Sequence, residues 1–459
     1  MSHVAIAGAG LAGTLLAIGL AKRGHTIDLY ERRSDPRSGR IDFGRSINLA
    51  LSARGAHALA QVGLLDRVLA NAVPMRARAI HSVAGEVAYQ PFGRHENEYL
   101  SAIERRTLNA ILLDAVEEHD KIRLHFGQRL IDADLATMTL TLEEQSSRIS
   151  HHRTCECLIG TDGTFSNARK VLVDNGVARF ALEELTYGYK ELPIGLEQAR
   201  DMRLECLHIW PRRSFLLIAN PNPDRSFSCT LFMPHDRKGD PSFSAMKTPA
   251  DVEHLFRRYF PDALERMPNL VTDFFSRPTG VLPTVRGGPW CFGGKMLLLG
   301  DAAHALVPFF AQGMNSAFED CTVLIECLDR CADRWEDAFS LCSVTRKTDT
   351  DAIADMAMQN YREIQDYIAD ARFLLRKRIE LELMRRYPQQ YTSMHVLVMF
   401  SCVPYAFAKA CGALQGALLD EICEGVSDIE NVPWPAVETR LARYNDEVRR
   451  HAGVPKERT

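Results

Sequence analysis

The sequence lacks an excess of positive charge. Its 459 residues contain 55 Lys and Arg against 59 Asp and Glu, which gives a formal net charge of −4. Proteins that bind nucleic acid through its phosphates depend on a basic surplus that this chain does not have. The 46% hydrophobic and 25% charged content is typical of a globular protein and excludes disorder as the main state. We therefore expect a folded protein that does not bind nucleic acid.

Closely paired cysteines are also missing. The chain has 12 cysteines but no CxxC pair, and Cys155 and Cys157 are spaced CxC. A structural zinc site needs paired ligand clusters. Most of the cysteines stand in apolar runs, as Cys321, Cys327 and Cys331 do. This pattern predicts buried free thiols in a reducing compartment and no metal site.

Long hydrophobic runs and a secretory signal are absent as well. The longest apolar stretch, 396–408, contains Pro404 and is shorter than the roughly 20 residues of a bilayer span. The first ten residues, MSHVAIAGAG, have neither a basic region nor a cleavage site. We expect a cytoplasmic protein without a membrane anchor.

The first 31 residues carry a pattern typical of dinucleotide binding. An apolar strand at 3–7 runs into a GxGxxG turn at 8–13, a helix over 14–23 and a second strand ending at Glu31. In such a unit Gly8 permits the tight turn, Gly10 admits a pyrophosphate, and Gly13 lets helix and strand pack closely. Glu31 stands where an acid accepts hydrogen bonds from ribose. The alternative is a glycine-rich turn in an ordinary α/β protein.

Two later motifs favour a flavin. The segment 158–169 runs from a strand into Asp162-Gly163, and the segment 297–304 runs from a strand into Gly300-Asp301 and then small residues. Asp301 is placed to bind a ribityl hydroxyl. Each motif alone could equally be a strand-to-helix turn with a capping aspartate. In this order, together with GxGxxG, they predict FAD.

The length corresponds to about two or three domains, and the pattern changes along the chain. Closely spaced strands at 207–210, 214–219 and 226–233 indicate an antiparallel sheet, and apolar spacing over 348–386 indicates a packed helix. No second GxGxxG occurs. We predict an α/β fold: a Rossmann-like FAD-binding domain (1–70, 100–175 and 290–345), an antiparallel-sheet substrate domain (71–99 and 176–289) and a helical C-terminal region (346–459).

The order of the three motifs resembles the group A flavoprotein aromatic monooxygenases, which have the para-hydroxybenzoate hydroxylase fold. Further blocks resemble the kynurenine 3-monooxygenase family within that group, over nearly the whole chain, as a bacterial form without the membrane anchor of mitochondrial forms. These blocks are 44–51, 75–78, 90–94, 188–192, 207–211, 308–315, 360–361 and 400–405. The resemblance implies FAD as cofactor, NADPH and O2 as co-substrates, and hydroxylation of L-kynurenine to 3-hydroxykynurenine through a C4a-hydroperoxyflavin. The expected partner is a small aromatic amino acid, and a homodimer is compatible with the family.

The resemblance also implies residue roles. Gln312 would position flavin and substrate, and no catalytic acid or base is assigned. Besides the glycines above, FAD would contact Leu11, Glu31, Arg32, Arg33, Ala50, Arg105, Leu130, Asp162, Gly300, Asp301, Gly313, Met314 and Asn315. The amino-acid end of the substrate would meet Arg78, Phe92, Asn360 and Tyr405, and its ring would meet Leu100, Leu207, Ile218, Thr230, Phe232, Pro308 and Phe309.

The sequence departs from the family pattern at three places. Phe92 replaces a usual Tyr, Asn220 replaces a usual Leu, and the loop after Pro308 contains Phe310 and Ala311. These departures keep open a hydroxylase of a different aromatic substrate. A non-catalytic FAD-binding protein is a separate alternative. A flavin halogenase is disfavoured because the WxWxIP pattern is missing among the four tryptophans.

Overall fold

The computed structural model describes residues 1–38, 48–237, 239, 241–366 and 371–451. Positions 44–47 of the family-like block at 44–51, and 367–370 of the predicted helix at 348–386, lie outside these residues.

The strands are β1 (His3–Ala7), β2 (Thr26–Glu31), β3 (Asn48–Leu51), β4 (Val73–Met75), β5 (Ala77–His81), β6 (Val87–Pro91), β7 (Leu100–Glu104), β8 (Ile122–Phe126), β9 (Gln128–Asp134), β10 (Thr139–Glu144), β11 (Ser150–Thr154), β12 (Cys157–Gly160), β13 (Arg179–Ile194), β14 (Cys206–Arg212), β15 (Phe215–Pro221), β16 (Phe227–Pro234), β17 (Gly280–Gly288), β18 (Cys291–Phe292) and β19 (Met296–Leu298). The helices are α1 (Leu11–Lys22), α2 (Ala53–Val62), α3 (Leu65–Leu69), α4 (Arg105–Glu117), α5 (Asn167–Asp174), α6 (Pro249–Tyr259), α7 (Pro261–Leu264), α8 (Leu270–Ser276), α9 (Asp301–His304), α10 (Gly313–Arg330), α11 (Trp335–Asp366), α12 (Ala371–Arg386), α13 (Met394–Phe400), α14 (Tyr405–Cys423) and α15 (Trp434–His451).

A six-stranded sheet forms the dinucleotide-binding layer. Its order is β18-β19-β12-β1-β2-β8, and all neighbours are parallel except β18 and β19. The predicted β-α-β unit is confirmed in β1, α1 and β2. The helix begins at Leu11, earlier than predicted, because the Gly10 carbonyl already accepts the Thr14 N–H at 3.0 Å.

A seven-stranded sheet forms the second layer, in the order β17-β13-β16-β15-β14-β5-β6. The predicted antiparallel strands are confirmed in β14, β15 and β16. The pair β14–β5 is parallel, and its register sets Arg78 beside Leu207. Side chains alternate across the sheet: Trp210 packs in the core under α6–α8, while Leu207 and Ile209 face a cavity. The sheet therefore presents one apolar face to the site described below.

The C-terminal region is helical, as predicted. Helix α11 packs with α13 and α14 against the cavity, through a core that includes Phe92, Phe310 and Ile353. Helices α12, α14 and α15 share a separate core around Leu375, Leu418 and Leu441. The helical region thus closes the side of the cavity that the two sheets leave open.

None of the described helices has both the length and the apolar character needed to cross a membrane. In the same residues no group of three His, Cys, Asp or Glu side chains could hold a metal ion. Every cysteine that the structure describes is a free thiol, and most are buried.

Candidate active site

A cavity of about 740 Å³ lies where the two large sheets and the C-terminal helices meet. At one end it reaches the carboxyl edge of the six-stranded sheet, where Gly10 and Thr161 line it. At the other end it runs between β5, β14 and the helices that carry Asn360 and His395. The end of a parallel sheet is where open α/β folds bind their ligands.

The glycine turn after β1 is closed on one side and open on the other. Gly8 has a φ of +104°, and a Cβ added to Gly13 would lie 2.0 Å from the Gly8 carbonyl oxygen. A Cβ on Gly10 would meet no heavy atom within 4 Å. Because Gly10 lines the cavity at the start of α1, the turn fits a phosphate held by the helix N-terminus.

Glu31 supports this turn from the end of β2. Its Oε2 accepts the Ala9 N–H at 3.1 Å, and its Oε1 accepts the Arg33 N–H at 3.0 Å. Arg32 and Arg33 are exposed and do not line the cavity. Glu31 therefore stands beside the dinucleotide turn, as the position of a ribose-binding acid requires.

The Gly300-Asp301 turn is held from behind by Asp320, which is fully buried. The Gly300 N–H donates to Asp320 Oδ2 at 2.8 Å, and His304 Nε2 lies 2.5 Å from the same oxygen. The Arg346 Nε donates to Oδ1 at 2.7 Å. Burial opposes ionisation of Asp320, but His304 and Arg346 outweigh it and lower the pKa of the carboxyl. The anchored turn presents Asp301 at the cavity wall.

The middle of the cavity is an apolar chamber. Its walls come from β7, β14, β15, β16 and the loop at 308–310, and the residues are Leu100, Leu207, Ile218, Phe232, Pro308, Phe309 and Phe310. The Phe309 ring lies 5.3 Å from Phe232 and 4.5 Å from Tyr361, centroid to centroid. A chamber of this kind fits a flat aromatic molecule.

The Arg78 side chain stands at one end of this chamber. The guanidinium carbon of Arg78 lies 4.4 Å from the centroid of the Phe92 ring, and its Nη2 lies 2.7 Å from His395 Nε2. Nearby, Asn360 Nδ2 donates to the Phe309 carbonyl at 2.6 Å. The apolar chamber thus ends at a guanidinium, a group that binds carboxylates.

Comparison with known proteins identifies the cofactor domain and the family. Residues 1–252 and 288–335 match the family model described as an FAD binding domain. The chain is 47% identical over 448 residues to a kynurenine 3-monooxygenase of Legionella pneumophila (strain Corby), covering 97% of this chain and 98% of the relative. It is 46% identical over 452 residues to that of Myxococcus xanthus (strain DK1622), covering 98% and 97%. The chain belongs to the kynurenine 3-monooxygenase family.

Solved structures agree on the fold of this family member. A 2-methyl-3-hydroxypyridine-5-carboxylic acid oxygenase superposes with a TM-score of 0.65 at 21% identity, covering 81% of this chain and 95% of that one. The tetracycline destructase Tet(55) superposes with a TM-score of 0.61 at 16% identity, covering 84% and 97%. At these identities the likeness establishes the hydroxylase fold alone.

Of the cofactor-binding residues implied by the family, some line the cavity and others lie behind its wall. Seven line the cavity: Gly10, Leu11, Ala50, Arg105, Asp301, Gly313 and Met314. The others lie outside the wall: Gly8, Gly13, Glu31, Arg32, Arg33, Leu130, Asp162, Gly300 and Asn315. Their roles toward FAD stay predictions.

Two of the residues behind the cavity wall, Asp162 and Asn315, form hydrogen bonds to nearby backbone groups. Asp162 accepts the N–H groups of Asn167 and Ala168 at 2.7 and 3.1 Å, at the start of α5. Asn315 donates to the Ala50 carbonyl at 2.9 Å, which fixes β3 against α10. Both side chains shape the backbone that surrounds the cavity.

The substrate positions divide in the same way. Arg78, Phe92, Leu100, Leu207, Ile218, Phe232, Pro308, Phe309 and Asn360 line the cavity, whereas Thr230, Tyr405 and Gln312 do not. The Tyr405 hydroxyl donates to Gln312 Oε1 at 2.7 Å, and both side chains are buried. The guanidinium carbon of Arg54 lies 3.8 Å from the Tyr405 ring centroid. This hydrogen bond thus ties Gln312, within the loop at 308–313, to Tyr405 at the start of α14.

Sequence reasoning missed several residues of this family site. His395 lines the cavity but stands in an apolar run, so its sequence context gave no signal. Asp320 stands 19 positions after Asp301 and belongs to no motif. Asn220, noted as a departure, does line the cavity.

Proposed function

We propose that this chain hydroxylates L-kynurenine at the ring 3-position, with FAD as cofactor and with NADPH and O2 as co-substrates. One observation carries the proposal: an apolar chamber with Arg78 at one end leads to Gly313 and Asp301 at the other. Kynurenine is an aromatic amine with an amino-acid end, and it matches a slot of this shape and charge. The names of the relatives support the same substrate.

The proposed work of the protein is binding, orientation and exclusion of water. Bound FAD supplies hydride acceptance from NADPH and activation of O2. Gly10 and Asp301 hold the cofactor, Arg78 grips the substrate carboxylate, and the apolar walls hold the ring against the loop at 308–313. The aniline nitrogen of kynurenine already enriches the neighbouring ring carbon in electrons. For this reason no protein base is assigned.

The decisive measurement is NADPH oxidation by the FAD-loaded protein with and without kynurenine, followed by mass spectrometry of the product. Stimulation by kynurenine together with a product one oxygen heavier supports the proposal. Stimulation only by other aromatic compounds would select a hydroxylase with a different substrate. A different aromatic substrate is a specific alternative, because Phe92 and Asn220 depart from the family pattern and both line the cavity. Absence of any stimulation would select a non-catalytic FAD-binding protein.

Cytoplasmic location and a homodimer are also proposed. The free thiols of the described cysteines support a reducing compartment. Light scattering on the purified protein tests the dimer.

Replacing Asp301 should weaken FAD binding. Asp301→Ala removes a charge-assisted partner of a ribityl hydroxyl, and we expect the Kd for FAD to rise about 10- to 100-fold. Asp301→Asn should recover part of the loss. Flavin fluorescence titration measures the Kd, and Asp174→Ala, an exposed acid on α5, is the control. Wild-type affinity in Asp301→Ala would remove this residue from the cofactor site.

Breaking the pair Gln312–Tyr405 should uncouple the reaction. Gln312→Ala and Tyr405→Phe both delete the 2.7 Å bond that supports the loop at 308–313. A looser loop admits water, and we expect several-fold more hydrogen peroxide per NADPH in both variants. Peroxide and NADPH are measured together during turnover with kynurenine. If Tyr405→Phe instead raises KM with unchanged coupling, its hydroxyl contacts the substrate.

A further inference from the structure

One polar partner of Arg78, His395, comes from a distant part of the chain. Arg78 lies on β5 of the seven-stranded sheet, and His395 lies on α13 of the helical region. Arg78 Nη2 and His395 Nε2 are 2.7 Å apart although 317 positions separate the residues. Both side chains line the cavity. The contact between Arg78 and His395 thus links the seven-stranded sheet to the helical region at the end of the chamber.

The chemistry of this contact fixes the state of the histidine. A guanidinium only donates hydrogen bonds, so His395 Nε2 must be the acceptor. The imidazole is therefore neutral and carries its proton on Nδ1. Burial, Arg78 and Lys377 all hold the pKa of His395 well below its usual range.

The charged groups around His395 agree with a neutral ring. Arg78 faces it from β5, and Lys377 and Glu380 line the same cavity from α12. Lys377 Nζ lies 3.1 Å from Glu380 Oε2 and 3.9 Å from Glu363 Oε2 on α11. These carboxylates are paired with the lysine, and the Arg78 cation contacts His395 directly.

Two contacts together restrict the guanidinium of Arg78. The guanidinium carbon lies over the Phe92 ring, 4.4 Å from its centroid, and His395 accepts one of the five N–H donors at 2.7 Å. His395 in turn packs against Phe310 of the loop at 308–310, with ring centroids 5.6 Å apart. A long side chain that is held by an aromatic ring and by a hydrogen bond has less rotational freedom than an exposed one. A guanidinium oriented in advance binds a carboxylate, with two parallel hydrogen bonds, at a lower entropic cost.

We propose that His395 is a positioning residue that orients the Arg78 guanidinium for the carboxylate of an amino-acid substrate. This inference rests on the proposed function, because it assumes that Arg78 meets the substrate carboxylate. It makes α13 part of substrate selection, in addition to the walls from the two sheets. The substrate class that it selects is an aromatic compound with a free carboxylate.

Two variants at one position test the inference. His395→Gln retains an acceptor oxygen, whereas His395→Leu has similar bulk and no acceptor. We expect His395→Leu to raise the Kd and the KM for kynurenine about 10-fold or more with little change in kcat. His395→Gln should stay within about threefold of the wild type. The Kd is measured by calorimetry on the FAD-loaded, oxidised protein without NADPH, and matched thermal midpoints establish that both variants are folded.

A substrate analogue that lacks the carboxylate separates positioning from a general packing effect. With kynuramine, the decarboxylated analogue, the difference between the Gln and Leu variants should fall below about twofold. Equal weakening by both variants, or a Leu variant that binds kynurenine like the wild type, would overturn the inference. These outcomes differ from failure of the proposed function, in which the wild type itself neither binds kynurenine nor oxidises NADPH faster in its presence.

Discussion

Arg78→Ala should lower kcat/KM for kynurenine by about 10²- to 10³-fold or more. The substrate carboxylate would lose its cation inside an apolar chamber, where an unpaired charge costs roughly 3–5 kcal/mol. Arg78→Lys should recover only part of this loss, because an ammonium cannot form two parallel bonds to a carboxylate. Steady-state kinetics on the FAD-loaded variants gives the ratio.

The chain offers a matched control two residues away. Arg76 is exposed and lies outside the cavity wall, so Arg76→Ala should change kcat/KM by less than about twofold. Phe92→Tyr adds a hydroxyl beside Arg78 and should lower KM by up to about 10-fold. Because the two residues would share one carboxylate, the double variant Arg78→Ala/Phe92→Tyr should be non-additive. Near wild-type kcat/KM in Arg78→Ala would mean that this cation does not bind the substrate head.

Gly13→Ala should destabilise the protein and abolish tight FAD binding. The new Cβ would lie 2.0 Å from the Gly8 carbonyl oxygen and 2.6 Å from Thr161 Oγ1, so α1 would have to move off the β1 turn. Overpacking of this kind costs about 1–3 kcal/mol or more. We expect a lower midpoint of urea unfolding for the apoprotein and little bound flavin after purification.

Gly10→Ala separates cofactor contact from packing. A Cβ there meets nothing within 4 Å, and Gly10 has an ordinary φ of −76°, so the apoprotein should unfold at the wild-type urea concentration. The methyl group would still point into the space proposed for the pyrophosphate, and FAD affinity should fall about 10-fold or more. Wild-type flavin affinity in Gly10→Ala would show that the phosphates do not approach this turn.

Short-range patterns predicted the dinucleotide layer well, because its turns depend on local backbone geometry. The tight approach of Gly13 to Gly8 and the placement of Asp301 at the cavity wall both follow from motifs of a few residues. The close spacing of three strand-like segments likewise predicted the antiparallel strands that carry Leu207 and Ile218.

Contacts between distant segments could not be predicted from the sequence. Nothing in the local context of His395 indicates that it meets Arg78, because the partner stands 317 positions earlier. The hydrogen bond between Tyr405 and Gln312 could not be predicted either. Both residues were expected at the active site, but not in contact with each other. The parallel pairing of β5 with β14 was also not predicted, since a short strand far from its neighbour carries no register signal.

The buried ion pairs around Asp320 connect the predicted FAD-binding domain to the helical C-terminal region, so we expect that neither folds stably alone. Arg346 bonds to Asp320 and to Glu319 at 2.7 Å each, and Glu319 also binds Arg54 at 2.6 Å. The predicted domain boundary between 345 and 346 therefore places Arg346 on one side and all of these partners on the other. A shortened protein ending at 345 would leave Asp320 and Glu319 without that cation, in a region from which water is excluded. Limited proteolysis should accordingly release no stable fragment that ends there, and the flavin layer and the helices should melt in one step.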